Sequence, residues 1–279
     1  MSKNKLVSPV LKWVGGKRQL LPEIKSMLPK GIKSYCEPFV GGGAVLFELQ
    51  PKKAIINDIN DELILVYRVI KDNVEELISL LETYPNEENF YYRMRNVDRD
   101  QERFHALTDI ERAARVIYLN KTCYNGLYRV NNAGEFNSPF GKYKNPNITN
   151  APVLRAVNIY FNSSDITFSS VDFSTVIEAV PRGTFVYLDP PYDPVSDTAS
   201  FTGYSRGGFT REQQIQLREC CDELTQRGVK FMLSNSATDF IRTQYANYHI
   251  TVVQAKRAIN SNADKRGDVD EVIITNYER

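Results

Sequence analysis

The sequence predicts an α/β protein whose sheet is interrupted by a helical insert. Three observations carry that expectation. Short runs rich in β-branched and aromatic residues alternate with stretches of helical spacing, the pattern of a largely parallel sheet. Two of those runs end in conspicuous punctuation: Gly41-Gly42-Gly43 after the first and Pro190-Pro191 after the fourth. Between residues 60 and 155 the alternation stops and helical periodicity takes over.

In chain order, 34–39 is a short apolar strand, followed by the glycines, a helix over 44–50 and a second strand over 53–58. This is a βαβ unit. Residues 61–82 carry apolar side chains at helical spacing and predict one long helix; 87–97 and 108–121 predict two more, the second opened by a Thr108/Glu111 capping box. The stretch 121–150 is rich in Asn, Gly, Tyr and Pro and has no period. Further strands follow at 166–170, 184–189, 229–235, 249–254 and 270–277, which makes seven. A helix over 211–227 has a Thr210/Gln213 capping box and Gly228 at its end. No helical pattern separates the final two strands, so they are expected to pair antiparallel across the polar loop 256–268. The expected organisation is a sheet domain from 1–60 and 156–279, with 61–155 inserted as a helical domain.

Composition removes several function classes. Hydrophobic residues make up 42% and charged residues 25% of the 279 positions, which is ordinary globular usage. No apolar run approaches the roughly 20 residues of a membrane span, and the N-terminus lacks the apolar core of a secretory signal. Cys36, Cys123, Cys220 and Cys221 form no C-x-x-C pair, so a reduced, cytoplasmic chain with buried cysteines is expected. His105 and His249 are the only histidines. That leaves little room for metal hydrolysis, zinc deamination or Ser-His-Asp chemistry, and no metal site is expected. The net charge of +1 conceals three basic segments, 1–33, 115–144 and 254–267. They suggest a polyanion-facing surface if they meet in space, and three solvated faces if they do not.

Two segments carry chemistry. In Glu37-Pro38-Phe39-Val40-Gly41-Gly42-Gly43, glycines directly after a buried strand let a ligand approach the backbone, next to an electropositive helix start. Asp58, at the end of the next strand, is spaced to accept hydrogen bonds from ribose hydroxyls. An adenosine-bearing cofactor is the reading, and a structural tight turn is the alternative. In Asp189-Pro190-Pro191-Tyr192, two prolines fix φ and remove two N–H donors. The Pro190 carbonyl and the Asp189 carboxylate become two acceptors beside the aromatic plate of Tyr192, an arrangement fitted to an exocyclic amino group on a planar base. Residues 13–17 lack the spacing of a phosphate loop, and a core position is the alternative for Trp13. Tyr91 and Tyr92 are expected to pack between helices, and Arg112 and Arg115 to lie on a solvated face.

Taken together, 11–17 (LKWVGGK), 37–43 (EPFVGGG), 57–60 (NDIN), 171–173 (VDF), 189–192 (DPPY) and 234–236 (SNS), with CYNGLYRVN (123–131) and FNSPFGKY (136–143) in the insert, resemble the Dam-type DNA adenine-N6 methyltransferases in order and over nearly the whole chain. The resemblance implies a Rossmann-like class I methyltransferase sheet that binds S-adenosyl-L-methionine, with the helical insert reading double-stranded DNA. It implies cofactor contacts for Trp13, Lys17, Phe39, Gly41, Gly43, Asp58, Asp172, Phe173 and Asp189, and a flipped adenine held by Asp189, Pro190, Pro191 and Tyr192. It further implies Arg129 on a guanine, Leu127 and Pro139 on a thymine methyl, Lys12 and Tyr143 on the outer base pair, and Tyr124 and Asn125 wedged into the duplex. The target would be 5′-GATC-3′. Lys142 stands where the family more often has an arginine on a phosphate; it keeps the charge but loses the fork. A monomer acting in the cytoplasm of a bacterial or phage-infected cell, with no membrane or metal requirement, completes the expectation. Cytosine-N4, RNA and protein-amide methylation remain as weaker readings of the same class, because those relatives usually have Ser or Asn before P-P-Y. A nicotinamide-dependent dehydrogenase would explain the glycine turn and Asp58 but not D-P-P-Y. A catalytically silent DNA-binding regulator is disfavoured by the intact motif.

Overall fold

Strands Ser34–Glu37 (β1), Lys53–Asn57 (β2), Asp165–Ser169 (β3), Thr184–Leu188 (β4), Lys230–Ser236 (β5), His249–Lys256 (β6) and Asp268–Thr275 (β7) form one sheet in the order β3-β2-β1-β4-β5-β7-β6. The computed structural model describes residues 3–13, 15–195, 208–256 and 268–278. Strands β1 to β5 are parallel, and β7 runs antiparallel between β5 and β6. All seven strands fall where the sequence placed them, and the last two pair antiparallel as expected. Most of the intervening loop, and with it most of the third basic segment, lies outside the described residues.

The central strands are apolar throughout because both faces of the sheet are covered. Tyr35, Phe185, Tyr187, Met232 and Ile273 point into one core. Their neighbours Cys36, Val186, Leu188, Phe231, Leu233, Val272 and Ile274 point into the other. Leu21–Met27 (α1) and Ala44–Leu49 (α2) precede β2. The expected long helix is two: Asp61–Asp72 (α3) and Val74–Glu82 (α4) meet at Asn73, whose φ of −136° and ψ of 40° are not helical. Asn73 ends one helix by donating its N–H to Val69 and starts the next by accepting from Leu77 through its carbonyl. Asparagine tolerates such breaks, which apolar periodicity alone does not report.

Glu88–Asn96 (α5), Gln101–His105 (α6) and Asp109–Thr122 (α7) complete the insert, and the Thr108/Glu111 capping box is present. Ala151–Asn162 (α8) returns the chain to the sheet, and the expected boundary at residue 155 falls within it. Residues of α3, α4, α7 and α8 share one continuous core with β1 and β2. Phe173–Ala179 (α9), Arg211–Gln226 (α10) and Asp239–Gln244 (α11) follow, and α10 opens with the Thr210/Gln213 capping box. All four cysteines are free and buried. No helix among the described residues is long and apolar enough to cross a membrane, and no group of three or more His, Cys, Asp or Glu among them is arranged to hold a metal.

Arg115 departs from the expected solvated face. Its side chain is 4% exposed and pairs with Asp98 at 2.7 Å, and it donates to the carbonyls of Met94 and Arg95. Asp98 also accepts from the Phe136 N–H at 2.8 Å. The pair therefore fastens the non-helical stretch 123–143 to the helices beneath it. Arg112 contacts Glu62. Tyr91 is buried, as expected for helix packing, and its hydroxyl donates to the Ser138 carbonyl.

Candidate active site and nucleic-acid interface

The order of strands reverses between β1 and β4, and ligands in open parallel sheets sit beyond the carboxyl ends of strands at such a point. Both punctuated motifs end there: β1 runs into Glu37–Gly43 and β4 into Asp189–Tyr192. Gly41 and Gly43 take φ of +47° and +71°. A Cβ on Gly41 would come within 2.8 Å of the Trp13 ring, and one on Gly43 within 2.8 Å of Phe47, so only glycine fits either position. The Gly41 carbonyl accepts from Tyr67 at 2.7 Å. Its N–H donates to Asp58 Oδ2 at 2.9 Å, while Asp58 Oδ1 accepts from the Asn60 N–H at 3.0 Å. Each Asp58 oxygen therefore retains a lone pair for a further donor. Burial pushes the Asp58 carboxyl up to about 6, against the pull of the two N–H donors from Asn60 and Gly41.

Asn57 ends β2. Its buried amide donates to the carbonyls of Pro38 and Val171 and accepts from Ser169 and the Val171 N–H. One side chain thereby ties the ends of β1, β2 and β3 together. Asp172 caps α9 through Oδ1, accepting from the Ser174 N–H. Phe173 is buried against Phe39, with ring centres 5.3 Å apart, and both rings contact Phe209.

At the end of β4, Lys17 Nζ lies 2.8 Å from Asp189 Oδ1, and Ser234 Oγ donates to the same oxygen at 2.9 Å. Because Ser234 has given its one proton to Asp189, the 3.1 Å contact between Tyr187 and Ser234 must run from the tyrosine hydroxyl to the serine. Both donors to Asp189 thus sit on Oδ1, and no donor among the described residues occupies Oδ2 or the Pro190 carbonyl. The next carbonyl, of Pro191, is satisfied by Gln214 at 2.8 Å. Asn235 holds the loop from the other side, accepting from the Asp193 N–H and donating to Gln214. Burial holds the Asp189 carboxyl above the usual aspartate range, opposed by Lys17 and Ser234. Lys17 also lies 4.5 Å from the centre of the Tyr192 ring, whose hydroxyl donates to Glu271 at 2.8 Å. Glu37, 2% exposed, has its carboxyl raised by burial and accepts from Tyr35 at 2.7 Å.

The predicted DNA-facing residues converge on the insert side. Cys123 and Phe140 form an antiparallel bridge, as do Val130 and Phe136. The Tyr124 N–H donates to the Pro139 carbonyl at 2.8 Å, which sets Tyr124 beside Pro139. Tyr143 lies against Gly141. Lys12 reaches the Asn125 carbonyl at 3.4 Å and rests on Gly126. Asn125 and Lys142 take φ of +58° and +53°. Tyr124, Arg129, Pro139, Lys142 and Tyr143 are exposed and Leu127 is half-buried. Arg129 Nε donates to Asn137 Oδ1 at 2.8 Å. Burial lowers the Lys121 ammonium, with Arg18 and Lys12 adding repulsion, so the first two basic segments do meet in space. Trp13 joins the two regions: it stacks on Tyr128 of the insert with centres 4.8 Å apart and lies over the Gly41 turn.

A sheet of this order, with acidic residues at the ends of adjacent strands around the point of reversal, defines the class I methyltransferase fold. Residues 13–259 match the D12 class N6 adenine-specific DNA methyltransferases, and the chain belongs to that family. It is 43% identical over 280 residues to the Type II methyltransferase M1.LlaDCHI of Lactococcus lactis subsp. cremoris, covering 99% of this chain and 98% of the relative. It is 45% identical to the Type II methyltransferase M.MjaIII of Methanocaldococcus jannaschii, over 97% and 99% of the two chains. Identity to the DNA adenine methylase of Escherichia coli K12 is 37%, over 94% and 93%. The chain is a DNA adenine-N6 methyltransferase; its substrate is DNA and its reaction requires a methyl donor.

Proposed function

We propose that the enzyme methylates adenine N6 within 5′-GATC-3′ of duplex DNA, using S-adenosyl-L-methionine and a target adenine swung out of the helix into the space beside Tyr192. The observation that carries the chemistry is the placement of both Asp189 donors on Oδ1, with Oδ2 and the neighbouring Pro190 carbonyl left as acceptors. Two acceptors engage both N–H bonds of an exocyclic amine and turn its lone pair out of ring conjugation. Lys17 and Ser234 hold the Asp189 carboxylate aimed and favour its ionised form against burial, and Tyr192 offers its face to the base. An amino nitrogen presented this way needs no Lewis acid, so we assign no metal. An amino group buried in the duplex has to be extruded to reach such a site.

The residues fit the donor. Glu37, Asp58 and Asp189 lie close enough to feel one another's charge, and Lys17, which pairs with Asp189, is the one buried ammonium among the described residues, which suits a cationic ligand. When bound, S-adenosyl-L-methionine supplies a methyl group on a sulfonium cation. Asp58 would hold the ribose hydroxyls, Asp172 and Phe173 the adenine, and Trp13, Phe39, Gly41 and Gly43 the rest, with Lys17 at the join to Asp189. Within the insert, 61–155, we assign Arg129 to guanine, Leu127 and Pro139 to the thymine methyl, and Lys12 and Tyr143 to the outer pair. Tyr124 and Asn125 are assigned as the wedge and Lys142 to a phosphate. Residues 1–60 and 156–279 carry the chemistry. We further propose that the enzyme acts as a monomer in the cytoplasm.

The test is incorporation of labelled methyl groups into plasmid DNA, followed by digestion with nucleases that separate methylated from unmethylated GATC. Protection of GATC sites is expected. Methyl groups entering another sequence would refute the specificity and leave the chemistry standing.

Asp58 gives a second expectation. Its folded-state pKa lies above the ordinary aspartate value of 3.8, at about 6. In the free enzyme its contribution to stability is therefore full below about pH 4 and is lost as pH rises through about 6. Hydroxyl donors favour the ionised form, so donor binding should weaken as pH falls below about 6. Calorimetric titration across that range should show this trend, and Asp58→Asn should flatten it while weakening binding at high pH. A pH-independent affinity in the parent enzyme would remove Asp58 from the donor site.

A further inference from the structure

Asn120 lies on α7 at 1% exposure, and nothing in the chemistry above uses it. Its amide oxygen and both amide N–H bonds are engaged by two segments. Oδ1 accepts from the Lys12 N–H at 2.8 Å, and Nδ2 donates to the Lys12 carbonyl at 2.8 Å and to the Gly126 carbonyl at 3.2 Å. The exchange with Lys12 imitates the two-bond pairing of opposed residues in neighbouring strands, here supplied by a side chain to a segment that belongs to no strand.

That segment is six residues long, from Lys12 to Lys17, and it touches three places. The Lys12 stem lies on Gly126, where an added Cβ would come within 2.5 Å of Lys12 Cδ. Trp13 stacks on Tyr128 and covers the Gly41 turn. Lys17 ends the run on Asp189. The 124–126 loop, Lys12 and α7 are thus joined through one amide, and the neighbouring Trp13 and, five residues on from Lys12, Lys17 make the contacts to the Gly41 turn and to Asp189.

We propose that Asn120 is a positioning residue that couples target reading to the placement of Asp189, by clamping Lys12 to the loop that faces DNA. The inference rests on the reading of Lys12 and the 124–129 loop as the DNA face. It makes Asn120 a determinant of specificity without base contact: the correct sequence seats the loop, the loop seats Lys12, and Lys17 then holds Asp189 in register.

The experiment measures single-turnover methylation on a GATC duplex and on duplexes with one base pair changed, for Asn120→Ala, Asn120→Asp, Lys12→Ala and the Asn120→Ala/Lys12→Ala double variant. Donor affinity and melting temperature are recorded in parallel. Asn120→Ala should slow the cognate reaction by about tenfold to a hundredfold and slow the altered sites far less, so that the preference ratio collapses while donor affinity is retained. Asn120→Asp keeps the volume and the acceptor for the Lys12 N–H but loses both donations; it should fall between, and it serves if the alanine variant does not fold. Lys12→Ala keeps the backbone N–H and carbonyl that Asn120 holds, so in that background Asn120→Ala should still slow the cognate reaction more than the altered ones. Equal slowing on cognate and altered sites, or losses that follow melting temperature and donor affinity together, would each overturn the proposal. If Lys12→Ala leaves the preference intact, the DNA-facing role of Lys12 is wrong. A collapsed ratio in Asn120→Ala would then still support Asn120 through Gly126, and an intact ratio would overturn it.

Discussion

Replacing Asp189 by alanine is expected to lower the single-turnover rate by about 10²–10³-fold, the usual cost of losing one preorganised charged partner of the reacting group. The asparagine variant is the sharper form of the experiment. Lys17 and Ser234 both donate to Oδ1, so in Asp189→Asn the amide oxygen is drawn to them and the NH₂ turns toward the substrate. It would then present donors to the donors of N6. Asp189→Asn should therefore be nearly as slow as Asp189→Ala. It also avoids the small cavity and gives Lys17 an acceptor, so it should melt closer to the parent. A 2-aminopurine at the target position should brighten on binding in parent and variants alike, which separates extrusion from chemistry. An Asp189→Asn enzyme keeping more than about a third of the parent rate would remove Asp189 from the role of acceptor.

The second large effect is expected at Arg129. Its Nε is tethered to Asn137, and neither terminal nitrogen meets an acceptor among the described residues. The guanidinium is thus held with its fork outward, the geometry suited to guanine O6 and N7. Arg129→Ala should lose about 1–3 kcal/mol of discrimination at one base pair, read as the ratio of kcat/KM on GATC and on the altered site. Lys142→Ala should instead weaken binding to all sequences alike and reduce the salt slope by about 1. Equal losses on both duplexes for Arg129→Ala would make it a phosphate contact or a structural residue.

Much of this was legible in the sequence because it depends on local signals. The strands are short apolar runs closed by Gly, Pro or Asp, and burial on both faces makes such runs continuous. Thr108 and Thr210 announce their helices through residues three positions on. Lys17, Asp58 and Asp189 stand in motifs, and the resemblance supplied their expected partners. The residues that escaped are buried polar side chains whose partners are far away in the chain. Asn57 serves residues 38, 169 and 171; Asn120 serves 12 and 126; Arg115 meets Asp98 from a helix whose spacing suggested a wet face. An amide or a guanidinium carries no mark in the sequence of whether its hydrogen bonds go to water or to another segment. The break at Asn73 escaped for a related reason: the apolar spacing continues across it, while the backbone does not.

The continuous core shared by α3, α4, α7, α8 and the sheet limits how such an enzyme can be rebuilt for a new target. A chimaera that exchanges the whole insert with a relative would cut through this core and have to repack it. The stretch from Cys123 to Tyr143 is a different kind of part. It is held by two isolated bridges, by the Arg115–Asp98 pair, by the Asn120 amide and by the buried Cys123, Tyr128 and Phe136, and most of the side chains proposed for recognition are exposed. Grafting at that seam touches the hydrophobic interior only at Cys123, Tyr128 and Phe136 and at Val130 and Phe140 beside them, so the smaller unit of retargeting is a twenty-odd-residue cassette on a fixed chassis, which must keep those apolar positions and match Arg115, Asp98 and Asn120.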